Sequence, residues 1–197
     1  MPHYSAIEGE GVAGPLQAVS AQTTTLLSCF GLVMYNRLNG HAGLYHFGAC
    51  TLGDNFVQGT ILLMLADLEP TDIHIAMPPF AADYAGQPVA TISDQNRVQL
   101  FLLEHAWAAD LHWIQPARFA NYGLVHGRLA VNDASLGERT ATRVRTAMLA
   151  LTPDGLGRAI LGNISFYGGR ARAKPDHFVD DAALLGVRRA TGKNVFG

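Results

Sequence analysis

The alternation of hydrophobic and polar positions predicts a β-hairpin near the start of the chain. Residues 23–36 and 42–50 are typical of two strands, and the Asn39-Gly40 dipeptide between them favours the positive φ angles of a tight turn. In a strand, residues at even separations share a face, so parity decides which side chains of this hairpin can meet.

A helical period follows the hairpin. Asp54 can cap a helix that runs to about Leu68, where Pro70 stops it. The apolar side of this helix contains Val57, Ile61, Met64, Leu65 and Leu68. A strand is then predicted over residues 72–77, and it ends at Pro78-Pro79.

The second half of the chain predicts another amphipathic helix and then strands. Residues 93 to about 113 have a helical apolar side, formed by Val98, Phe101, Leu102 and Leu103. Beyond them the hydrophobic period becomes two. Three strands are predicted there, over residues 123–131, 142–151 and 158–167. The sequence Pro153-Asp154-Gly155 predicts a turn between the second and the third of these strands.

These elements predict one layered domain over residues 1–197, in which strands pack against two or three helices. Residues 1–20 form a loosely assigned N-terminal segment, and a short helix near residues 180–189 closes the chain. A length of 197 residues suits a single domain with a sizeable core. The 49% of hydrophobic and 15% of charged residues agree with a compact globule.

Charge and hydropathy exclude several classes of partner. The 14 basic and 16 acidic residues give a net charge of −2, so no strong field attracts nucleic acid or anionic lipid. The longest apolar run, residues 61–66, is far too short to span a membrane, and the N-terminus lacks the features of a secretory signal. We therefore expect no nucleic-acid partner, no membrane span, and either a cytoplasmic location or export by a route that leaves no such signal.

A cysteine and a histidine give the predicted hairpin its candidate chemistry. Parity places Cys29 on the same strand face as Thr23 and Gly31. The turn then places His46 opposite Gly31 and diagonal to Cys29. Diagonal neighbours lie roughly 7–8 Å apart between backbones, and Gly31 has no side chain to fill the space between them. The imidazole of His46 is therefore expected within reach of the thiol of Cys29.

Such a pair can supply nucleophilic catalysis. A cysteine thiol has an ordinary pKa of about 8.5, which an adjacent imidazolium lowers by several units, and the imidazole later returns the proton to the leaving group. A hydroxyl or a carbonyl must fix the tautomer and tilt of the ring, and Thr23 is the candidate. The backbone N–H groups of Ser28 and Cys29 are the expected oxyanion donors, and the chemistry requires no metal and no organic cofactor.

Other interpretations of the pair stay open. It can be ordinary packing in a non-enzymatic binding module, because buried cysteine is common in protein cores. Cys29, His46 and Cys50, together with His41, could bind zinc, although their spacings fit no compact zinc motif. His41 is the rival base if the hairpin register differs. The two cysteines allow one disulfide at most, and the reduced state is expected.

The sequence of this segment resembles that of the glutamine deamidases of the CheD and cytotoxic-necrotizing-factor group. In that group a threonine lies a few residues before a Leu-Ser-Gly-Cys or Leu-Gly-Ser-Cys motif. A histidine follows on the neighbouring strand, after a glycine and a bulky apolar residue. The matching positions here are Thr23, Leu27, Ser28, Cys29, Gly43 and His46. The chain has no glycine within the motif, and the resemblance covers about residues 20–50.

The resemblance implies an α+β fold with an antiparallel β-sandwich-like core flanked by two or three helices. It implies a catalytic site of Cys29, His46 and Thr23 that hydrolyses a surface glutamine of a partner protein to glutamate and releases ammonia. Several members of the group are bacterial toxins that act on host regulators, and CheD acts on chemoreceptors. A bacterial effector or toxin is therefore one implied role, and hydrolysis and transglutamination share the same thioester.

Overall fold

The computed structural model describes residues 2–23, 26, 29–77, 92–114, 122–125, 128–131, 141–151 and 157–168. Within these residues the fold is α+β, as the sequence predicted, with helices and two multi-stranded sheets. The described helices are α1 (Asn55–Leu68), α2 (Ile92–His105) and α3 (Val144–Leu151), and a short 3-10 helix, Ala49–Gly53, precedes α1. None of the helices in the described ranges is long and apolar enough to cross a membrane.

The described strands form a large sheet and a small sheet. They are β1 (Tyr4–Ala6), β2 (Glu10–Pro15), β3 (Ala21–Thr23), β4 (Cys29–Asn36), β5 (His41–Gly48), β6 (Asp72–Ala76), β7 (Asp110–Ile114), β8 (Tyr122–Val125), β9 (Arg128–Val131), β10 (Thr142–Arg143), β11 (Arg158–Leu161) and β12 (Ile164–Gly168). The large sheet has the order β11-β12-β2-β5-β4-β6-β7, and the small sheet has the order β10-β1-β3-β8-β9. Antiparallel pairing dominates the large sheet, where only β6 and β7 run parallel.

Both faces of the large sheet are covered. On one face of the large sheet, side chains of β4 pack in a core cluster with Met64 of α1. The β4 residues in this cluster are Phe30, Leu32 and Met34. On the other face, Val33 and Leu44 share a second cluster with Ala21 and Leu124 of the small sheet. Because successive residues of a strand face opposite sides, the same two strands supply both clusters. This arrangement is the predicted sandwich-like core flanked by helices.

The predicted turn, first helix and following strand are confirmed, but the predicted strands of the hairpin are too long. Thr23 belongs to β3 of the small sheet, so it does not share a strand with Cys29, and residues 49 and 50 lie in the 3-10 helix. β4 and β5 pair antiparallel around a turn in which Gly40 has a φ of 69°. Asp54 accepts a hydrogen bond from the Phe56 N–H at the start of α1, and Glu69 ends the helix in a left-handed conformation just before Pro70. The strand predicted over residues 72–77 is β6.

The second predicted helix is too long. α2 ends at His105, the Ala109 N–H then donates to the Ala106 carbonyl in a turn, and residues 110–114 form β7 instead of helix. β7 pairs along its whole length with β6, about forty residues earlier in the chain. The hydrogen bonds of a long-range ladder therefore decide the conformation of this segment, and a local helical pattern cannot show them.

The three later strand predictions are wrong in extent. Residues 123–131 and 158–167 each contain two strands, β8 with β9 and β11 with β12, and Gly162 has a φ of 62° in the second hairpin. Within 142–151, only Thr142 and Arg143 are strand, and α3 follows. Val144 and Met148 of α3 are both buried, and a spacing of four fits a helix as well as a strand face. The turn at 153–155 and the helix near 180–189 lie outside the described residues.

The loosely assigned N-terminal segment contains two strands of the core. β2 lies between β5 and β12 in the large sheet, while β1 lies between β3 and β10 in the small sheet. The turn that joins β1 to β2 therefore passes from one sheet to the other. It does so beside the candidate site.

Candidate active site

The register of the hairpin places Cys29 and His46 as the parity of the sequence predicted. Cys29 pairs with Gly48 and Gly31 pairs with His46, so the two side chains are diagonal neighbours on one face of the large sheet. This face is the one that packs toward the small sheet. The sulfur of Cys29 is a thiol and is not part of a disulfide. The predicted register is confirmed, and the catalytic roles of the residues stay predictions.

A glycine occupies the position between the two side chains. A Cβ added to Gly31 would lie 3.5 Å from Cδ1 of Leu26, 3.6 Å from Cβ of Ala76 and 3.9 Å from Cγ2 of Thr23. These are ordinary van der Waals distances, so the space beside Gly31 is about as large as one methyl group. The absence of a side chain at residue 31 therefore leaves a small gap on the sheet face that carries Cys29 and His46.

One ring nitrogen of His46 is held by the main chain of β1. Nδ1 lies 3.4 Å from the carbonyl oxygen of Ala6, and because a carbonyl can only accept, Nδ1 carries the hydrogen. Nε2 is buried and has no hydrogen-bond partner among the described residues. The ring is therefore in the tautomer whose Nε2 lone pair can accept a proton, which is the arrangement that a general base needs.

The charge state of His46 differs from that in the sequence argument. His46 is 4% exposed, and this burial lowers its pKa to about 4, with the positive charge of Arg143 acting in the same direction and the Ala6 hydrogen bond opposing it. At neutral pH the ring is consequently an uncharged imidazole. It is not the imidazolium that was expected to lower the pKa of the thiol, so it can act only by accepting the thiol proton.

The turn between β1 and β2 encloses the His46 side of the site. The Glu10 N–H donates to the Ile7 carbonyl at 2.9 Å, and Gly9 has a φ of 84°, which favours glycine. The Gly9 N–H donates to the carbonyl oxygen of His46 at 2.7 Å. Oε2 of Glu10, the residue opposite His46 in β2, accepts from the Ile7 N–H at 3.1 Å. This turn therefore fixes both the main chain and the ring of His46.

The same turn brings a carboxylate to the Cys29 side. A Cβ placed on Gly48 would lie 2.3 Å from Oε1 of Glu8 and 3.2 Å from its Cδ. Glu8, which is partly exposed, thus fills the side-chain position directly opposite Cys29. The sequence analysis missed Ala6 and Glu8, and Gly9 is the local signal that could have indicated a turn in this segment.

Thr23 lies beside the site, but it makes a different hydrogen bond from the one predicted. Its hydroxyl donates to the carbonyl oxygen of Tyr122 at 3.4 Å, across the β3–β8 pair of the small sheet. Of the atoms of Thr23, the methyl carbon lies nearest to the gap at Gly31, at 3.9 Å from the position of an added Cβ. The two described side chains of Thr23 and His46 are not hydrogen-bonded, so the observed ring-orienting group is the Ala6 carbonyl.

A second buried polar atom without a hydrogen-bond partner among the described residues belongs to Tyr122, a member of the same core cluster as Cys29. Cys29 belongs to a small core cluster with Leu26, Ala76 and Tyr122. Among the described residues, the hydroxyl of Tyr122 has no hydrogen-bond partner, like Nε2 of His46. Buried polar atoms are almost always paired in proteins, so the unpaired Nε2 of His46, on the sheet face that carries Cys29, can accept a proton or a donor from a ligand.

The register of the strands also gives the direction of the main-chain N–H of Cys29. The carbonyl of His46 accepts a hydrogen bond from the Gly9 N–H, on the β2 side of β5, so it does not point toward β4. In an antiparallel pair the main-chain groups of successive residues point alternately to one neighbouring strand and to the other. The N–H groups of Gly31 and Cys29 therefore point away from β5 and toward β6. The β4–β6 ladder starts only at Gly31, so Cys29 lies beyond its end. The other predicted donor, Ser28, lies outside the described residues.

The zinc interpretation loses its ligand set in this geometry. His41 and His46 are an odd number of residues apart on β5 and face opposite sides of the large sheet. His41 therefore cannot share a site with Cys29, either as a zinc ligand or as the rival base. The described residues contain no group of three or more potential metal ligands, and the side chain of Cys50 lies outside the described part.

The exposure of Cys29 is smaller than that of a residue in an open surface groove. Cys29 is 9% exposed, so the thiol is largely buried. Its cluster neighbours Leu26, Ala76 and Tyr122, together with Ile114, each lie within two residues of a segment outside the described ranges.

The arrangement places a thiol and a neutral imidazole with a fixed tautomer on one sheet face, with a carboxylate at the position opposite the thiol. Together these groups suit attack on a polarised carbon that carries a leaving group able to take up a proton. The chain matches no protein-family model, and it matches no curated protein. The arrangement of the residues is therefore the ground on which a function can be argued.

Proposed function

We propose that the protein is a cysteine amidohydrolase that deamidates glutamine side chains on a partner protein. The observation that carries the proposal is the placement of Cys29 and His46 on one sheet face, on either side of a glycine, with Nε2 of the ring buried and left to accept a proton. The resemblance of the surrounding residues to glutamine deamidases supports the same chemistry. Ala6 takes the ring-orienting part that the resemblance gives to Thr23.

The first half of the reaction makes a thioester. As the sulfur of Cys29 attacks the carboxamide carbon, its proton passes to Nε2 of His46, and the carbonyl oxygen becomes an oxyanion near the N–H of Cys29. The imidazolium then gives this proton to the amide nitrogen, and the C–N bond breaks. Ammonia leaves, the acyl group stays on sulfur, and the ring is neutral again.

The second half of the reaction restores the thiol. Nε2 of His46 takes a proton from a water molecule while the oxygen of that water attacks the thioester carbon. The C–S bond breaks, the sulfur takes the proton back from the ring, and glutamate is released. The sum of the two halves is glutamine plus water giving glutamate plus ammonium, because ammonia takes up the proton that the new carboxyl group loses. No redox partner enters at either step.

The recessed thiol favours an amide at the end of a side chain. With Cys29 only 9% exposed, a main-chain amide on a folded surface would have to enter the opening together with its neighbours. A glutamine side chain is slender and flexible, so its carboxamide can reach the thiol while its backbone stays outside. A partner protein with a surface glutamine is therefore the proposed substrate, and the rim of the site would select it.

The test is site mapping by mass spectrometry on a bacterial and a eukaryotic cell extract. Each extract is incubated with the parent protein, Cys29→Ala or His46→Gln in water enriched in oxygen-18. The parent is expected to convert particular glutamines to glutamates that carry one labelled oxygen, and both variants are expected to lose this by at least a hundredfold. An added primary amine that replaces the label would instead identify transglutamination.

Two controls give the result its meaning. His41→Gln removes a histidine from the opposite face of the same strand, so it should keep the parental activity. A chelator should leave the activity unchanged, since no step passes through a metal. Conversion that survives in Cys29→Ala, or that a chelator removes and added metal restores, would rule out the proposed reaction.

A further inference from the structure

The carboxylate of Glu8 has no part in the reaction steps given above, although it lies in the site. It fills the side-chain position at Gly48, and Gly48 is directly opposite Cys29 in the β4–β5 ladder. Side chains that are opposite each other in a non-hydrogen-bonded pair have Cβ atoms about 4.5–5.5 Å apart. The carboxylate therefore lies within roughly 8 Å of the Cβ of Cys29. The Glu8 residue is partly exposed.

We infer that Glu8 selects the substrate by charge and hydrogen bonding, accepting the amide N–H of a bound carboxamide and excluding carboxylates. This inference rests on the proposed function. A carboxamide offers two N–H donors, whereas its product, a carboxylate, offers none and carries a negative charge. One fixed carboxylate beside the thiol therefore attracts the substrate and repels the product. The same group would speed release of glutamate after each turnover.

Gly48 is part of this arrangement because its missing side chain makes room for the carboxylate. Its φ of −72° is one that any residue adopts, so its backbone does not require glycine. The steric contact with Glu8 does, since an added Cβ would be 2.3 Å from Oε1. Gly48→Ala should consequently displace the carboxylate from the site without straining the strand.

A pair of alkylating reagents tests the selection without any protein substrate. Iodoacetamide carries a neutral carboxamide, while iodoacetate carries a carboxylate, and in both cases the sulfur of Cys29 displaces iodide. The measured quantity is the ratio of the two alkylation rates at Cys29, found by peptide mapping of the folded protein. It is divided by the same ratio for the protein in denaturant, which removes the intrinsic difference between the reagents.

The parent is expected to prefer iodoacetamide at Cys29 by roughly tenfold after this correction, because two unit charges about 8 Å apart near a protein surface repel by that much after screening. Glu8→Gln should bring the corrected ratio close to one. Gly48→Ala should lower it in the same direction, and the double variant should lower it no further than Glu8→Gln alone. Glu104→Gln, an equal change of charge on the exposed side of α2, should leave it unchanged.

An identical corrected ratio in the parent and in Glu8→Gln would overturn the inference. So would a parental preference for iodoacetate. If Glu8→Gln does not fold, the corrected ratio of alkylation rates in Gly48→Ala tests the same inference. With a mapped glutamine substrate, Glu8→Gln should also raise KM roughly tenfold and increase inhibition by the glutamate product.

The role of Glu8 and the proposed deamidation can be refuted independently of each other. A loss of preference in Glu8→Gln without any deamidated protein would leave the selecting role of Glu8 in place and remove the proposed function. Deamidation that depends on Cys29 but an unaltered reagent ratio would do the reverse. The two hypotheses are therefore distinguishable in one set of variants.

Discussion

Replacing His46 by glutamine should change how the free energy of unfolding depends on pH. In the folded protein, burial lowers the pKa of this histidine to about 4, whereas an unfolded chain binds the proton at a pKa of about 6.5. Between these two values the unfolded state binds more protons than the folded state. The contribution of neutral His46 to stability is therefore fully present above about pH 6.5 and is lost as the pH falls toward 4.

The size of this effect follows from the difference between the two pKa values. Each unit of difference is worth 1.36 kcal/mol, so the parent should lose about 3 kcal/mol of unfolding free energy through His46 between pH 7.5 and pH 4. That is a large part of the stability of an ordinary domain. His46→Gln lacks this loss. Its stability relative to the parent should therefore improve by about 3 kcal/mol as the solution is acidified.

Urea unfolding at several pH values measures the effect, followed by the fluorescence of the two tryptophans. The quantity of interest is the difference in unfolding free energy between parent and variant, because other groups, Asp72 and His74 among them, titrate equally in both. His41→Gln serves as the control, since His41 lies at the water-facing turn of the same strand. A parent-minus-variant difference that stays constant from pH 7.5 to pH 4 would refute the assignment of His46 as a buried neutral base.

Further predictions concern single side chains around the gap. Gly31→Ala should change the unfolding free energy by less than about 1 kcal/mol, because its methyl group meets only ordinary contacts, yet it should lower deamidation at least tenfold by filling the space between Cys29 and His46. Full activity in this variant would contradict the assigned site. Gly43→Ala, whose Cβ would lie 2.7 Å from a methyl of Leu68, should instead cost about 1–3 kcal/mol in urea unfolding. Thr23→Val should cost about 1–3 kcal/mol, because the buried carbonyl of Tyr122 loses its donor. A large rate loss in folded Thr23→Val would restore Thr23 as the ring-orienting group.

The part of the site that lies within the hairpin was predictable, since it depends on local rules. The turn at Gly40 and the two-residue period of the strands fix which residue of β5 is opposite Gly31, and these are properties of neighbouring residues. The first helix was predictable for the same reason. Its cap at Asp54 and its stop at Pro70 are local signals.

The groups that set the properties of the pair were not predictable from the hairpin. The Ala6 carbonyl that orients the ring and the carboxylate of Glu8 come from a turn about forty residues before His46. Nothing in the periodicity of residues 1–20 shows that β1 and β2 belong to different sheets. The electrostatic state of His46 was equally hidden, because burial between two sheets is a property of the packed structure.

The sequence by itself therefore determined the α+β class, the hairpin register and the shared face of Cys29 and His46. The tertiary structure decided which group orients the ring, which charge faces the thiol, and whether residues 110–114 and 144–151 are strand or helix. The physical reason is the range of the interactions. Turn geometry and strand parity act over a few residues, whereas sheet pairing, burial and desolvation depend on segments that meet only when the chain has folded.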